Sequence, residues 1–333
     1  MPITRRGLLT LDVGDGGHQA RRWLRVHRIA MACRFEVTLD EQDAVYVDAA
    51  LEALNEADRV EALLTVFRES SELSRVNREA AAGAVDVDAE LSRLLQRCAR
   101  LHAATEGAFD ITSTPLSRCW GFLLRNGCVP SSPEIESARR AIGMASVRVD
   151  GTRREVRFEW PGMELNLGAI GKGYALDCMA GVLRRRGVER ALLSAGTSSV
   201  VAFGGGRRGW PIDLRSPQMP GARLARVYLC DGALGTSGAG EQFVVSDGTR
   251  YGHVIDPRTG WPVQGVVSAT AIAADAADAD ALSTAFFVGG PALAARYCDR
   301  HTGTLALITS NDGIARPRAF GRHAGAVVEG AER

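Results

Sequence analysis

At 333 residues, with 46% hydrophobic and 24% charged content, the chain can bury a sizeable core as one large or two modest domains. Forty Lys plus Arg against thirty-nine Asp plus Glu leave a net charge of +1, so no global field draws the protein to nucleic acid or anionic lipid. Any anionic ligand must be held locally, and no apolar run approaches the roughly 20 residues of a membrane-spanning helix, which argues against stable membrane insertion.

The opening MPITRRGLLTLDVGDGG carries paired arginines, Arg5 and Arg6, in the manner of a twin-arginine export signal, but its apolar run is broken at Asp12 and Asp15. The seven cysteines, Cys33, Cys98, Cys119, Cys128, Cys178, Cys230 and Cys298, are scattered and lack any CxxC pair or zinc-spaced His. They read as reduced structural thiols, and the chain as cytoplasmic.

RFEVTL at 34–39 alternates like a half-buried strand, and residues 44–64 show helical apolar spacing. SSELSRVN at 70–77 has the composition of a helix start, and AELSRLLQRCARLHAATEG at 89–107 predicts an amphipathic helix that stops at Gly107. The next segment, GAFDITSTPLSRCWGF at 107–122, fits neither period and reads as a binding loop. VRVDGTRREVRFEW at 147–160 predicts a hairpin turning at Asp150 and Gly151. ELNLGAIGKGYALDCMAGVLRRRGV at 164–188 reads as a strand, a Gly-rich turn and a helix with a basic last turn. Further strands are expected at 191–203, 210–215, 225–230, 243–245 and 267–273, and a helix from about 279 to 287. Short strands mixed with helices, without a regular βαβ repeat, give an α+β class. The expected organisation is a variable segment over 1–25, one two-lobed unit over 26–325, and a tail over 326–333.

Three constellations can carry chemistry. In LGAIGKG, 167–173, Gly168, Gly171 and Gly173 allow close backbone approach while Lys172 adds a cation at a helix start, the makings of a phosphate cradle; purely structural glycines fit equally well. In ADADALSTAFF, 277–287, Asp280 and Thr284 lie four apart on one helical face, where carboxylate and hydroxyl oxygens suit a hard cation such as Mg²⁺; capping and solvation by an Asp cluster is the rival reading. In TSGAGEQFVVSDGTRYGHVIDPRTGWP, 236–262, a turn at Asp247 and Gly248 and the corner IDPRTGWP frame His253, a candidate acid/base or orienting group.

Taken in order, RIAMACRFEVTL, SSELSRVN, GAFDITSTPLSRCWGF, LNLGAIGKGYALD, TSGAGEQF, HVIDPRTGWP and ADALSTAFFVGG resemble the successive blocks of the FAD:protein FMN transferase family, also called the ApbE family, from Met31 to about residue 290. The resemblance implies a T-fold-related, two-lobed α+β architecture with FAD held between the lobes and Mg²⁺ bridging its pyrophosphate. It puts the FAD contacts on Met31, Phe67, Ala108, Phe109, Asp110, Asn166, Lys172 and Ile255, and the metal on the Ala169 carbonyl, Asp280 and Thr284. The implied reaction transfers FMN from FAD to a Thr or Ser hydroxyl of an acceptor, typically a redox flavoprotein, and releases AMP. The alternatives are an FAD pyrophosphatase and a catalytically silent FAD-binding protein.

The sequence departs from the family pattern at several points. Met31-Ala32-Cys33 stands where Met-Gly-Thr is common, Phe67 where Tyr is usual, Asn166 where Asp is usual, and Thr197-Ser198 where Gly-Asp is usual. TSGAG lacks the Asp-Tyr that often follows TSG.

Overall fold

The computed structural model describes residues 8–13, 22–205, 208–217, 219, 221–238, 242–311 and 316–332. The paired arginines Arg5 and Arg6, and Ala239, Gly240 and Glu241 of the small-residue turn, lie outside them.

The chain opens with strands β1 (Leu8–Val13), β2 (Arg22–Ala30) and β3 (Cys33–Asp40), followed by helices α1 (Val47–Leu64) and α2 (Glu72–Glu79). Next come β4 (Val85–Asp86), α3 (Ala89–Ala104), α4 (Thr114–Cys119), α5 (Ser132–Arg140), the hairpin β5 (Val147–Asp150) and β6 (Glu155–Phe158), and α6 (Gly171–Arg185). The second half supplies β7 (Ala191–Ala195), β8 (Ser199–Phe203), β9 (Trp210–Arg215), β10 (Arg223–Leu229), β11 (Gly232–Gly238), β12 (Phe243–Ser246), β13 (Thr249–Gly252) and β14 (Val266–Ala273). It closes with α7 (Ala276–Arg300), β15 (Leu305–Ser310), β16 (Arg318–Gly321) and β17 (Ala326–Glu329).

Nine strands form one antiparallel sheet in the order β1-β2-β3-β7-β8-β11-β14-β15-β16. Consecutive strands paired antiparallel, with helices inserted between runs of them, are the α+β arrangement that the element pattern predicts. One face buries Phe35, Val37 and Leu39 of β3 against α1, whose buried Ala49, Ala50, Ala53 and Ala57 present little bulk to their neighbours. α1 packs on α6, α6 on α7, and α7 on β11 and β14. The opposite face contributes Ala202, Leu234, Ile272, Leu305 and Leu307 to a second core with Trp210 and Leu214 of β9 and Val227 and Leu229 of β10. Seven of the eight residues of β14 are buried in consequence, which is why its sequence is small and apolar without alternation.

Several sequence expectations change. Residues 326–329 are not a tail: β17 pairs antiparallel with β10 in a three-stranded sheet, because the outer face of the large sheet needs a cover. Residues 164–167 do not form a strand. Asn77 substitutes for a strand partner, its Nδ2 donating to the Leu165 carbonyl (2.9 Å) and its Oδ1 accepting from the Leu165 N–H (2.7 Å). The presumed loop 107–122 contains α4, where Pro115 occupies the start that its fixed φ favours; six residues are too few for a period to be read. α7 is longer than the predicted 279–287, and bends at Gly290 (φ 62) before Pro291.

The turn joining β2 to β3 is a two-residue hairpin closed by the pair Ala30 and Cys33, with Met31 at φ 48 and Ala32 at φ 57. Such turns need positive φ at both central positions, a conformation that costs a residue with a Cβ about 1–2 kcal/mol. Ala32→Gly is therefore expected to raise stability by about 1 kcal/mol, seen as a higher urea midpoint at unchanged slope. An unchanged or lower midpoint would show that the turn is not strained at Ala32.

Candidate active site

The two central helices meet with their N-termini crossed. Gly173, in the first turn of α6, has no room for a side chain: a Cβ there would lie 2.0 Å from the Ala276 carbonyl oxygen. That closeness lets each helix present a carboxylate to the start of the other. Asp177 of α6 accepts from the N–H groups of Ala276 (2.8 Å) and Ala277 (2.9 Å) at the opening of α7. Asp280 of α7 accepts through Oδ2 from the Gly173 N–H (2.7 Å). Both contacts satisfy backbone donors that a helix start leaves unpaired and set negative charge at the positive end of a helix dipole.

The helix-capping reading of the Asp cluster is thus met in an unexpected way. Asp275, at the N-cap of α7, makes no side-chain cap; it accepts from Arg97 Nη2 (3.1 Å), while Asp278 accepts from Arg97 Nε (2.7 Å), tying α3 to α7. The cap of α7 comes from Asp177, and Asp280 caps α6. Burial pushes the Asp177 carboxyl up to about 6, opposed by its two N–H donors. Burial also pushes Asp280 up, opposed by the charge of Lys172, the Ser199 hydroxyl and the Gly173 N–H. A buried carboxylate whose charge is only partly compensated is a favourable partner for a bound cation.

Asp280 lies in a shell of oxygen atoms. Ser199 Oγ, fully buried on β8, donates to Asp280 Oδ1 (2.5 Å). Thr284 Oγ1 and Ser283 Oγ both turn back toward the Asp280 carbonyl (3.4 and 2.8 Å), and Ser237 Oγ of β11 lies within hydrogen-bonding distance of both (3.2 and 2.9 Å). Ala169 belongs to the turn just before α6. Gly173 N–H, which a continuous helical ladder would direct to the Ala169 carbonyl, goes to Asp280 instead. Among the described residues no three His, Cys, Asp or Glu side chains gather as a metal cluster. The oxygen groups gathered at Asp280 are its own carboxylate and the hydroxyls of Ser199, Ser237, Ser283 and Thr284, a set that fits Mg²⁺ bound largely through phosphate and water.

Beside this crossing opens a cleft of about 370 Å³, lined by Met31 and Ala32 of the hairpin turn, Thr65 to Arg68 after α1, Asn166 to Gly168, and Lys172. Phe67, 74% exposed, lines both this cleft and a second groove of about 400 Å³ bordered by Asn77, Arg118 and Leu124. The structure therefore joins Met31, Phe67, Asn166 and Lys172 on one cavity. Asn166 bends on itself, its Oδ1 accepting from Gly168 N–H (2.8 Å), so the neutral amide shapes the Gly-rich turn.

The other expected contacts lie elsewhere. Ala108 and Phe109 are buried in the main core, and Asp110 is tied internally, its Oδ1 accepting from the N–H (2.8 Å) and hydroxyl (2.6 Å) of Thr112. Ile255 is buried in a separate cluster with Leu116 and Trp120. Trp120 packs against Tyr251 and Trp261 and donates through Nε1 to the Gly260 carbonyl (2.9 Å), which fixes the IDPRTGWP corner. His253 is half-buried on that corner, its backbone N–H donating to the Gln242 carbonyl (3.0 Å), and it lines neither cavity. Sequence reasoning missed Asp177, Ser199, Ser237 and Gly235. Asp177 sits within the recognised block LNLGAIGKGYALD and Ser237 within TSGAGEQF, but neither the carboxylate nor the hydroxyls signal their partners locally, because those partners are distant in sequence.

A family model described as the ApbE family matches residues 31–309. The chain is 32% identical over 231 residues to the FAD:protein FMN transferase of Klebsiella pneumoniae (strain 342), covering 69% of this chain and 72% of that protein. It is also 32% identical over 281 residues to the FAD:protein FMN transferase of Treponema pallidum (strain Nichols), covering 79% and 77%. Among solved structures, the ApbE protein of Thermotoga maritima matches with a TM-score of 0.79 at 32% identity, covering 88% of this chain and 96% of that one. The flavin transferase ApbE from Vibrio cholerae matches with a TM-score of 0.77 at 26% identity, covering 90% and 97%. The family match spans every candidate site residue from Met31 to Thr284, and the chain belongs to the ApbE family.

Proposed function

We propose that this protein transfers the FMN moiety of FAD to a Thr or Ser hydroxyl of an acceptor protein, in a Mg²⁺-dependent reaction that releases AMP. The relatives named FAD:protein FMN transferase support the reaction class. The observation that carries the reading is the buried Asp280, held by Gly173 at the N-terminus of α6 next to the charge of Lys172, where Gly171 and Lys172 of the same helix start line a cleft with an exposed aromatic ring.

In this reading the pyrophosphate of FAD enters at the start of α6, where the helix dipole and Lys172 favour anionic oxygens. Mg²⁺, held through Asp280, Thr284 and the Ala169 carbonyl, would supply neutralisation of the charge on the pyrophosphate. The acceptor hydroxyl attacks the FMN-side phosphorus; its oxygen forms the new P–O bond as the bond to the AMP oxygen breaks, and its proton is lost to a base. His253 is our candidate for that base. Phe67 offers a ring face for stacking. Met31 and Asn166 line the cleft, whereas Ala108, Phe109 and Ile255 are packed in the cores and Asp110 is held by Thr112, away from its lining.

Three measurements test the assignment. Lys172→Ala is expected to weaken FAD binding by about tenfold or more while weakening FMN little, since only FAD carries the pyrophosphate; equal losses for both flavins would remove Lys172 from the phosphate site. Asp280→Asn keeps the shape that accepts from Gly173 but removes the charge. It should raise the Mg²⁺ concentration for half-maximal AMP release by at least about tenfold, with Thr284→Val showing a smaller shift, and parent-like curves for both would reject the metal site. His253→Ala is expected to slow AMP release by about a hundredfold at unchanged FAD affinity. Parent-like turnover in that variant would dismiss His253 as the base. Release of AMP without any acceptor would mark a pyrophosphatase, and FAD binding without AMP release a silent binder.

A further inference from the structure

We infer that Ser199 is a positioning residue for the cation site: its buried hydroxyl sets the rotation of the Asp280 carboxylate and so the direction of the lone pairs left for Mg²⁺. The inference rests on the metal reading of Asp280 proposed above.

The geometry is specific. Asp280 is enclosed, and its two oxygens are held from opposite sides: Oδ1 by Ser199 Oγ at 2.5 Å from the sheet, and Oδ2 by Gly173 N–H at 2.7 Å from α6. A carboxylate offers about four acceptor positions. Two fixed donors therefore orient the plane of the group and leave about one acceptor position on each oxygen, in directions set by that plane. The backbone donor alone would leave the plane free to turn about the Oδ2 contact.

Ser199 can reach Asp280 only because α7 lies unusually close to the sheet. Ser199 pairs in register with Gly235 of β11, and a Cβ on Gly235 would lie 2.5 Å from the Ala279 carbonyl oxygen and 2.7 Å from the Asp280 nitrogen. The missing side chain at Gly235 thus brings the backbone of Asp280 down onto the strand pair. Ser199 is itself wholly buried, and among the described residues its hydroxyl also lies within hydrogen-bonding distance of Ser198 Oγ, at 3.3 Å. A hydroxyl in such a place has no solvent to bond, and the carboxylate is its acceptor. Groups that orient a metal-binding side chain through a hydrogen bond affect cation affinity without touching the cation.

The test uses the full-length protein, with FAD binding followed by flavin fluorescence across a MgCl₂ titration and no acceptor present. Ser199→Ala is expected to raise the Mg²⁺ midpoint by about 10- to 100-fold while leaving FAD binding in EDTA unchanged. Ser199→Thr, which keeps the hydroxyl, should restore the midpoint to within about threefold of the parent. Ser199→Cys, similar in shape and a weaker donor, should fall between them; it also serves if the Ala variant fails to fold. A parent-like midpoint in folded Ser199→Ala or Ser199→Cys, alongside a shifted midpoint in Asp280→Asn, overturns the positioning role and leaves the metal site intact. A parent-like midpoint in Asp280→Asn overturns the metal reading and the role of Ser199 with it.

Discussion

The crossed N-termini of α6 and α7 are the contact on which the rest of the site depends. Each helix start leaves backbone N–H groups without intrahelical partners, and here each is met by a carboxylate from the other helix: Asp177 at Ala276 and Ala277, Asp280 at Gly173. The exchange requires the two backbones to touch, and Gly173 is the residue that permits it. Once the helices are locked in this way, Lys172 on one and Thr284 on the other have no independent freedom of placement. Lys172 lies one residue from the contact, and Thr284 one helical turn from it.

The large sheet acts as the second constraint. Its small-residue strands, β11 and β14, let α7 settle close to the sheet, so hydroxyls from β8 and β11 reach the helix that carries the candidate ligands. A layer of Ser and Thr hydroxyls, buried at Ser199 and Ser283 and half-buried at Ser237 and Thr284, is costly against apolar surroundings unless each is bonded. Here Ser199, Ser237, Ser283 and Thr284 bond to one another or to Asp280, which converts that cost into orientation. Burial raises the Asp280 carboxyl, and the Lys172 charge, the Ser199 hydroxyl and the Gly173 N–H oppose it.

Around this rigid centre the cleft is built from turns. The β2–β3 hairpin contributes Met31 and Ala32, the segment after α1 contributes Phe67, and the segment before α6 is held in place by the amide of Asn77. Ala32, Phe67 and Asn166 all lie on this turn-built wall, apart from the helix crossing at Gly173, Asp177 and Asp280. The aromatic cluster of Trp120, Tyr251 and Trp261 plays a separate part, bracing the corner that carries His253.

Periodicity and turn chemistry alone located α1, α3, α6, the β5–β6 hairpin and most central strands, because these elements state their burial in their own residues. Helical spacing also put Asp280 and Thr284 on one face, and the ordered motifs identified the family. Other features were illegible for a common reason: their partners lie far away in sequence. Asn77 pairs with Leu165, Asp177 caps a helix 99 residues on, Ser199 bonds Asp280 across 81 residues, and β17 is a strand only because β10 is there to receive it. A local pattern records which face of an element is apolar. It does not record which element that face meets, and the choice between Asp280 as a cap for its own helix and Asp280 as a cap for another was made by the close approach that Gly173 and Gly235 allow.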